Sequence, residues 1–198
     1  MLKSNVSWST NKDSYTQGKE AAEKAVVDLI QTKVAFLFTS VDCNVEKVLE
    51  GAKAELGTAP IIGCTSSAGI ITPEGFISSE NGFTGILALG DPELTVGVAS
   101  SPKKEEARLT GQMVAKEAMK KAGRTDSPAY FYMVASPAEE EDYIKGIEDV
   151  IGRVPIFGGS AADNTVEGKW SIYTNNEIFA DGVAVAFFYT DKKMSNVY

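Results

Sequence analysis

Two stretches of small and polar residues hold most of the chemistry that this sequence could perform. Gly63-Cys64-Thr65-Ser66-Ser67 and Gly158-Gly159-Ser160-Ala161-Ala162-Asp163-Asn164 each follow a short apolar run, Pro60-Ile61-Ile62 and Val154-Pro155-Ile156-Phe157. Such a run reads as a buried strand, and both stretches are expected to be loops leaving the core at a strand's carboxyl end, the edge where α/β proteins bind ligands. Glycines let a backbone approach a ligand and turn its N–H groups inward, while Ser, Thr and Asn add short donors and acceptors. Gly63, Cys64, Thr65, Ser66, Ser67, Gly158, Gly159, Ser160, Asp163 and Asn164 are therefore the candidate ligand-binding residues. Backbone N–H groups around 63–66 and 158–160 would take a carboxylate, and Asp163 with Asn164 would take an ammonium. The competing reading is two tight turns, with Asp163 capping its own backbone.

Composition removes many alternatives. The chain of 198 residues has no histidine, which excludes Ser-His and Cys-His pairs and histidine-ligated metal. Cys64 has no activating base nearby in sequence and reads as a small buried thiol. The serines likewise lack a base, and the two cysteines, Cys43 and Cys64, have no metal-ligand spacing. Glu139-Glu140-Glu141-Asp142 sits where a helix dipole favours carboxylates, which leaves little for a metal. No catalytic residue, metal or cofactor is expected. A net charge of −8 weighs against nucleic acid and anionic membranes. No signal peptide and no span is visible, and two free thiols suit a reducing compartment, so the expected location is cytoplasmic.

The elements that must position these residues come in an order that repeats. Helices are expected over 15–30, 44–56, 105–122 and from Ser136 to near Gly152, the last with a Ser136/Glu139 capping box. Strands are expected at 34–38, 60–62, 83–89, 94–99, 130–134, 154–157 and 182–189. Gly90-Asp91-Pro92-Glu93 reads as a hairpin turn between two of them. Gly18, Ala21, Ala22, Ala25, Val26 and Leu29 have counterparts in Gly111, Val114, Ala115, Ala118, Met119 and Ala122, and the later elements follow at offsets of about 93 to 98 positions. The fold class is α/β, with internally duplicated helix-strand-helix-strand-strand units and mixed sheets covered by helices. The alternatives are one sheet or an α/β/β/α stack. One domain spans 1–198, with pseudo-repeats at about 14–100 and 105–198. Its last strand is expected to be clipped, as in a piece excised from a longer chain.

Val34-Ala35-Phe36-Leu37-Phe38-Thr39-Ser40, Pro60-Ile61-Ile62-Gly63-Cys64-Thr65 and Gly158-Gly159-Ser160-Ala161-Ala162-Asp163 together resemble the N-terminal part of the FIST domain. The resemblance covers roughly residues 25 to 190 and is most specific in the Gly-Gly-Ser-Ala-Ala-Asp stretch. It implies an intracellular sensory domain of signal transduction that binds small ligands, amino acids being the favoured proposal. It also implies a C-terminal FIST part and an output module such as a chemotaxis receptor, kinase or cyclic-nucleotide domain as partners. Members often carry a glutamate just after the first small-residue stretch, where this chain has Gly69-Ile70-Ile71. The leading expectation is a sensory module, not an enzyme. The rivals are a hydrolase or transferase using Cys64 or Ser160, and a ligand-free interaction scaffold.

Overall fold

The computed structural model describes residues 1–104 and 106–192. In chain order the elements are β1 (Lys3–Ser9), α1 (Ser14–Ala25), β2 (Thr32–Ser40), α2 (Val45–Leu56), β3 (Ile61–Ser66), β4 (Ile70–Thr72), β5 (Gly75–Ile77), β6 (Thr84–Gly90), β7 (Thr95–Pro102), α3 (Ala107–Ala122), β8 (Tyr130–Ala135), α4 (Glu140–Ile151), β9 (Ile156–Ser160), β10 (Ile172–Thr174), β11 (Ile178–Phe179) and β12 (Gly182–Tyr189). They make one sheet of order β1-β6-β2-β3-β10-β11, a second of order β7-β12-β8-β9, and the small hairpin β4-β5. The sheets are mixed: β2 runs parallel to β3 and antiparallel to β6, as β8 does to β9 and β12.

Three cores define four layers, α/β/β/α. One lies between α1, α2 and the first sheet, one between α3, α4 and the second sheet, and one between the sheets. The central strands are buried on both faces, so they read as unbroken apolar runs. Along β2, Ala35 and Leu37 face the helices while Val34 and Phe36 face the other sheet. Along β8, Phe131 and Met133 face the helices while Tyr130 and Tyr132 face inward. Phe36 of the first sheet meets Tyr132 of the second edge-on at 4.8 Å, which joins the sheets through an aromatic contact, while Tyr130 stacks on Phe188 within the second sheet at 4.6 Å.

The two sheets share one strand order, with β1, β6, β2 and β3 standing where β7, β12, β8 and β9 stand. Gly90-Glu93 is therefore no hairpin turn. Asp91 does form the local turn, its Oδ1 accepting the Glu93 N–H at 3.1 Å, but β6 pairs with β1 and β2 while β7 pairs with β12. Since β7 is the counterpart of β1, the boundary between the units falls at this turn. Glu105 and Lys193, at an expected helix start and beside the strand expected to be clipped, lie outside the described residues.

Smaller differences have local causes. Helix α1 starts one residue before the expected Tyr15 because Asp13 caps it, accepting the Thr16 N–H at 2.8 Å. The Ser136 capping box does not form. The Ser136 hydroxyl accepts the Gly182 N–H at 3.1 Å and donates to Asp181 at 2.9 Å, tying β8 to the start of β12. Trp8 lies on the edge strand β1.

Candidate functional site

The first small-residue stretch is mostly strand. Gly63 to Ser66 complete β3, and Gly158 to Ser160 complete β9, so neither stretch is the open loop its composition suggests. The glycines are needed for packing. A Cβ on Gly63 would stand 1.7 Å from the Leu37 carbonyl oxygen, and the Tyr173 ring lies across the same position at 3.0 Å. Gly158 has φ +148°, and a Cβ there would stand 1.8 Å from the Met133 carbonyl oxygen.

The two stretches do meet, and they meet through bonds that consume their polar groups. Thr65 is the junction. Its N–H donates to the Ser171 carbonyl at 2.9 Å and its carbonyl accepts the Ala162 N–H at 3.0 Å. Its hydroxyl donates to the Ala162 carbonyl at 2.8 Å and accepts the Ser171 N–H at 2.9 Å. Asn164 ties the rim, accepting the Ala68 N–H at 2.9 Å and donating to Asp42 at 3.0 Å. The Ser66 hydroxyl donates to the Gly69 carbonyl at 3.3 Å, and the exposed Ser67 accepts the Gly69 N–H on its own carbonyl at 2.6 Å. The Ser160 hydroxyl is exposed and donates to Glu140.

Asp163 binds its own backbone. Its carboxylate, 5% exposed, accepts four backbone N–H groups, from Thr165, Val166, Glu167 and Lys169. Burial pushes its pKa up, but those N–H groups outweigh burial and hold it below the usual value. These bonds match the reading of Asp163 as a cap of its own backbone, and they organise the 163–169 loop. Cys64 is 4% exposed in the core between the sheets, and burial pushes its thiol up to about 12. A thiol so placed offers no thiolate at neutral pH.

Open space lies elsewhere. A cleft of about 390 Å³ is bounded by Lys53 near the end of α2, Thr58 just beyond it, Lys121 near the end of α3, and Thr174 and Asn176 of the β10–β11 hairpin. Asn175 anchors that hairpin, its side chain accepting the Ile61 N–H at 2.7 Å and donating to the Ala59 carbonyl at 3.0 Å. Lys53 donates to the Asn175 carbonyl at 3.0 Å. Neither Lys53 nor Lys121 meets a carboxylate within salt-bridge distance among the described residues. The sequence offered no sign of this cleft, because its lysines belong to different units, each in a last helical turn where the dipole already favours a cation. A second groove, of about 280 Å³, lies between α4 and β9 and is floored by Gly158 and Gly159. Among the described residues no group of acidic or cysteine side chains is arranged to hold a metal ion. No helix among them is long and apolar enough to cross a membrane.

The domain is thus two stacked mixed sheets between helix layers, with clefts at their margins. The FIST N domain family model matches residues 33–198, and the chain belongs to that family. It is a sensory, signal-transduction module of a family thought to bind small ligands. A comparison with curated proteins returned no match. Among solved structures, cyanuric acid hydrolase from A. caulinodans is similar at 10% identity and a TM-score of 0.48, over 96% of this chain and 67% of that one. Thiamine monophosphate kinase from Aquifex Aeolicus is similar at 9% identity and a TM-score of 0.28, over 98% of this chain and 80% of that one.

Proposed function

We propose that this domain senses a small carboxylate-bearing metabolite, an amino acid being the simplest case, and passes its occupancy to a companion C-terminal part and a signalling output module. The carrying observation is the cleft that brings Lys53 and Lys121 together from different units. Two ammonium groups there would take a carboxylate in a protein whose net charge is −8. The hydroxyls of Thr58 and Thr174 and the Asn176 amide would take the rest of a polar ligand. A ligand at the paired stretches would instead have to displace the bonds of Thr65, Asp163 and Asn164. Because the cleft is walled by both units, a ligand there favours one relative arrangement of them, which is what a relay requires.

Binding is favoured over turnover. The enzyme reading with Cys64 as nucleophile meets a buried thiol, and with Ser160 it meets only the Glu140 carboxylate, a weak base for a hydroxyl. A thermal-shift screen of amino acids and related carboxylates tests the proposal, since a ligand that binds only the folded state raises its unfolding temperature. The shift from a genuine hit should vanish in the Lys53→Met, Lys121→Met double variant. A hit that persists there at full size places the site elsewhere.

A further inference from the structure

The shared strand order leaves one position filled in the first unit and open in the second. In the first unit the edge of β3 is covered by β10, which runs antiparallel to it with Tyr173 opposite Gly63 and Ile172 opposite Cys64. The Tyr173 ring lies over Gly63, and its hydroxyl donates to the carbonyls of Leu37 at 3.1 Å and Cys64 at 2.8 Å. In the second unit β8 and β9 hold the same register: Met133 stands opposite Gly158 as Leu37 stands opposite Gly63. Gly159 then takes the place of Cys64. Yet nothing among the described residues covers β9, which ends its sheet and is exposed throughout.

The edge is ready to pair. Pro155 O accepts from Phe131 N and Ala161 N donates to Ala135 O, so alternate residues of β9 bond to β8. Ile156, Gly158 and Ser160 therefore turn their backbone groups outward. Thr65, the counterpart of Ser160, uses its N–H on the strand that covers β3. The groove of about 280 Å³ above Gly158, walled by Ile144 and Met133, lies where the ring of Tyr173 sits in the first unit. One difference bears on the partner's charge. Lys53, which donates to the hairpin carbonyl in the first unit, is replaced by Glu148, one turn along the same face of α4 from the groove residue Ile144. Glu148 meets only the highly exposed Arg153, at 3.5 Å, a weak surface pair that a basic residue of a partner can replace.

We propose that the free edge of β9 receives an antiparallel β-strand from a partner domain, one that lays a tyrosine over Gly158 and sets a basic residue against Glu148. This is β-strand addition, in which backbone bonds supply affinity and a side-chain pocket supplies selectivity. A second copy pairing through its own β9 would bring only Ile156, Gly158 and Ser160 to this face and leave the groove without a ring. The proposal needs no ligand and does not rest on the cleft at Lys53.

The probe is a synthetic peptide of residues 171–179 carrying Asn176→Lys, added at millimolar concentration to the isotope-labelled protein. Amide resonances of Ile156, Gly158 and Ser160 should shift and their hydrogen exchange slow by about tenfold, while those of Gly63 and Thr65 stay unchanged. A peptide with Tyr173→Ala should lose the effect. So should protein carrying Ile144→Trp, which fills the groove, or Ser160→Pro, which removes an edge N–H; the first keeps the test open if the second does not fold. Absence of any perturbation, an equal effect from the Tyr173→Ala peptide, or a dimer whose β9 amides are protected before peptide is added would each overturn the proposal.

Discussion

Gly111 of α3 lies so close to Tyr143 of α4 that a Cβ on it would stand 2.3 Å from the Tyr143 carbonyl oxygen, and Gly18 stands to Val48 in the same relation at 2.1 Å. The pairing is reciprocal: Gly51 meets the Tyr15 carbonyl and Gly146 the Arg108 carbonyl, each at 2.0 Å. Each helix pair thus crosses on two glycines. Glycine to alanine inside a helix ordinarily stabilises by about 0.5–1 kcal/mol. Here the methyl meets backbone that cannot step aside, and overpacking costs about 1–3 kcal/mol. Gly18→Ala and Gly111→Ala should each lower the urea midpoint, with Gly159→Ala, which meets nothing within 4 Å, close to neutral. A midpoint raised by either helix substitution would show that the helices can move apart.

Tyr173 makes a graded test of the covered edge. Removing its hydroxyl in Tyr173→Phe strips one donor from the Leu37 and Cys64 carbonyls and should cost about 1–2 kcal/mol. Removing the ring in Tyr173→Ala also empties the space above Gly63 and should cost about 3–5 kcal/mol. Equilibrium unfolding of both variants checks the order. Equal losses would mean that the ring contributes nothing beyond its hydrogen bonds.

What could be read from the sequence was whatever local pattern decides. Strands β2, β8 and β12 are buried on both faces, and their continuous apolar runs announce them; the helix stripes follow from Gly18-Ala21-Ala22-Ala25 and its counterpart. What could not be read depends on distant partners. Gly63 looks like a loop residue until Tyr173 is seen crossing it, and Asp91 makes a real turn whose strands then part into different sheets. Strand β1 buries Ser7 and Ser9 and leaves Val6 exposed, so no apolar alternation announces it, and it takes its place by pairing with β6 and packing on α1. Lys53 and Lys121 became site candidates only when two units were brought together.

Asp163 should make the 163–169 loop acid-sensitive. Its folded pKa lies below the unfolded value, so its contribution to stability is present above the ordinary carboxylate range and is lost as pH falls through the folded pKa. Unfolding midpoints measured from neutral pH down towards 3 should therefore decline, and Asp163→Asn should flatten part of that decline while lowering the neutral-pH midpoint. The amide's Nδ2 would face N–H donors where a carboxylate oxygen now accepts them. If the variant keeps the wild-type slope, the carboxylate does not titrate with folding.

The two cysteines test whether any nucleophile is hidden in the core. Cys43 donates to Gln17 Oε1 at 3.1 Å and Cys64 lies between the sheets; burial raises both thiols, Cys64 to about 12. A raised thiol stabilises the fold fully below the unfolded pKa, near 8.5, and that contribution is lost as pH rises towards 12. At pH 8 the folded protein should therefore react with a thiol reagent only as fast as it opens, so that labelling accelerates with urea in step with unfolding. Cys64→Ala, which deletes one buried sulfur, should cost about 1 kcal/mol and leave any ligand-induced thermal shift unchanged. Labelling of Cys64 in native buffer at or above the rate of a free thiol would require an ionised, accessible sulfur, and covalent chemistry at β3 would then replace recognition as the better reading.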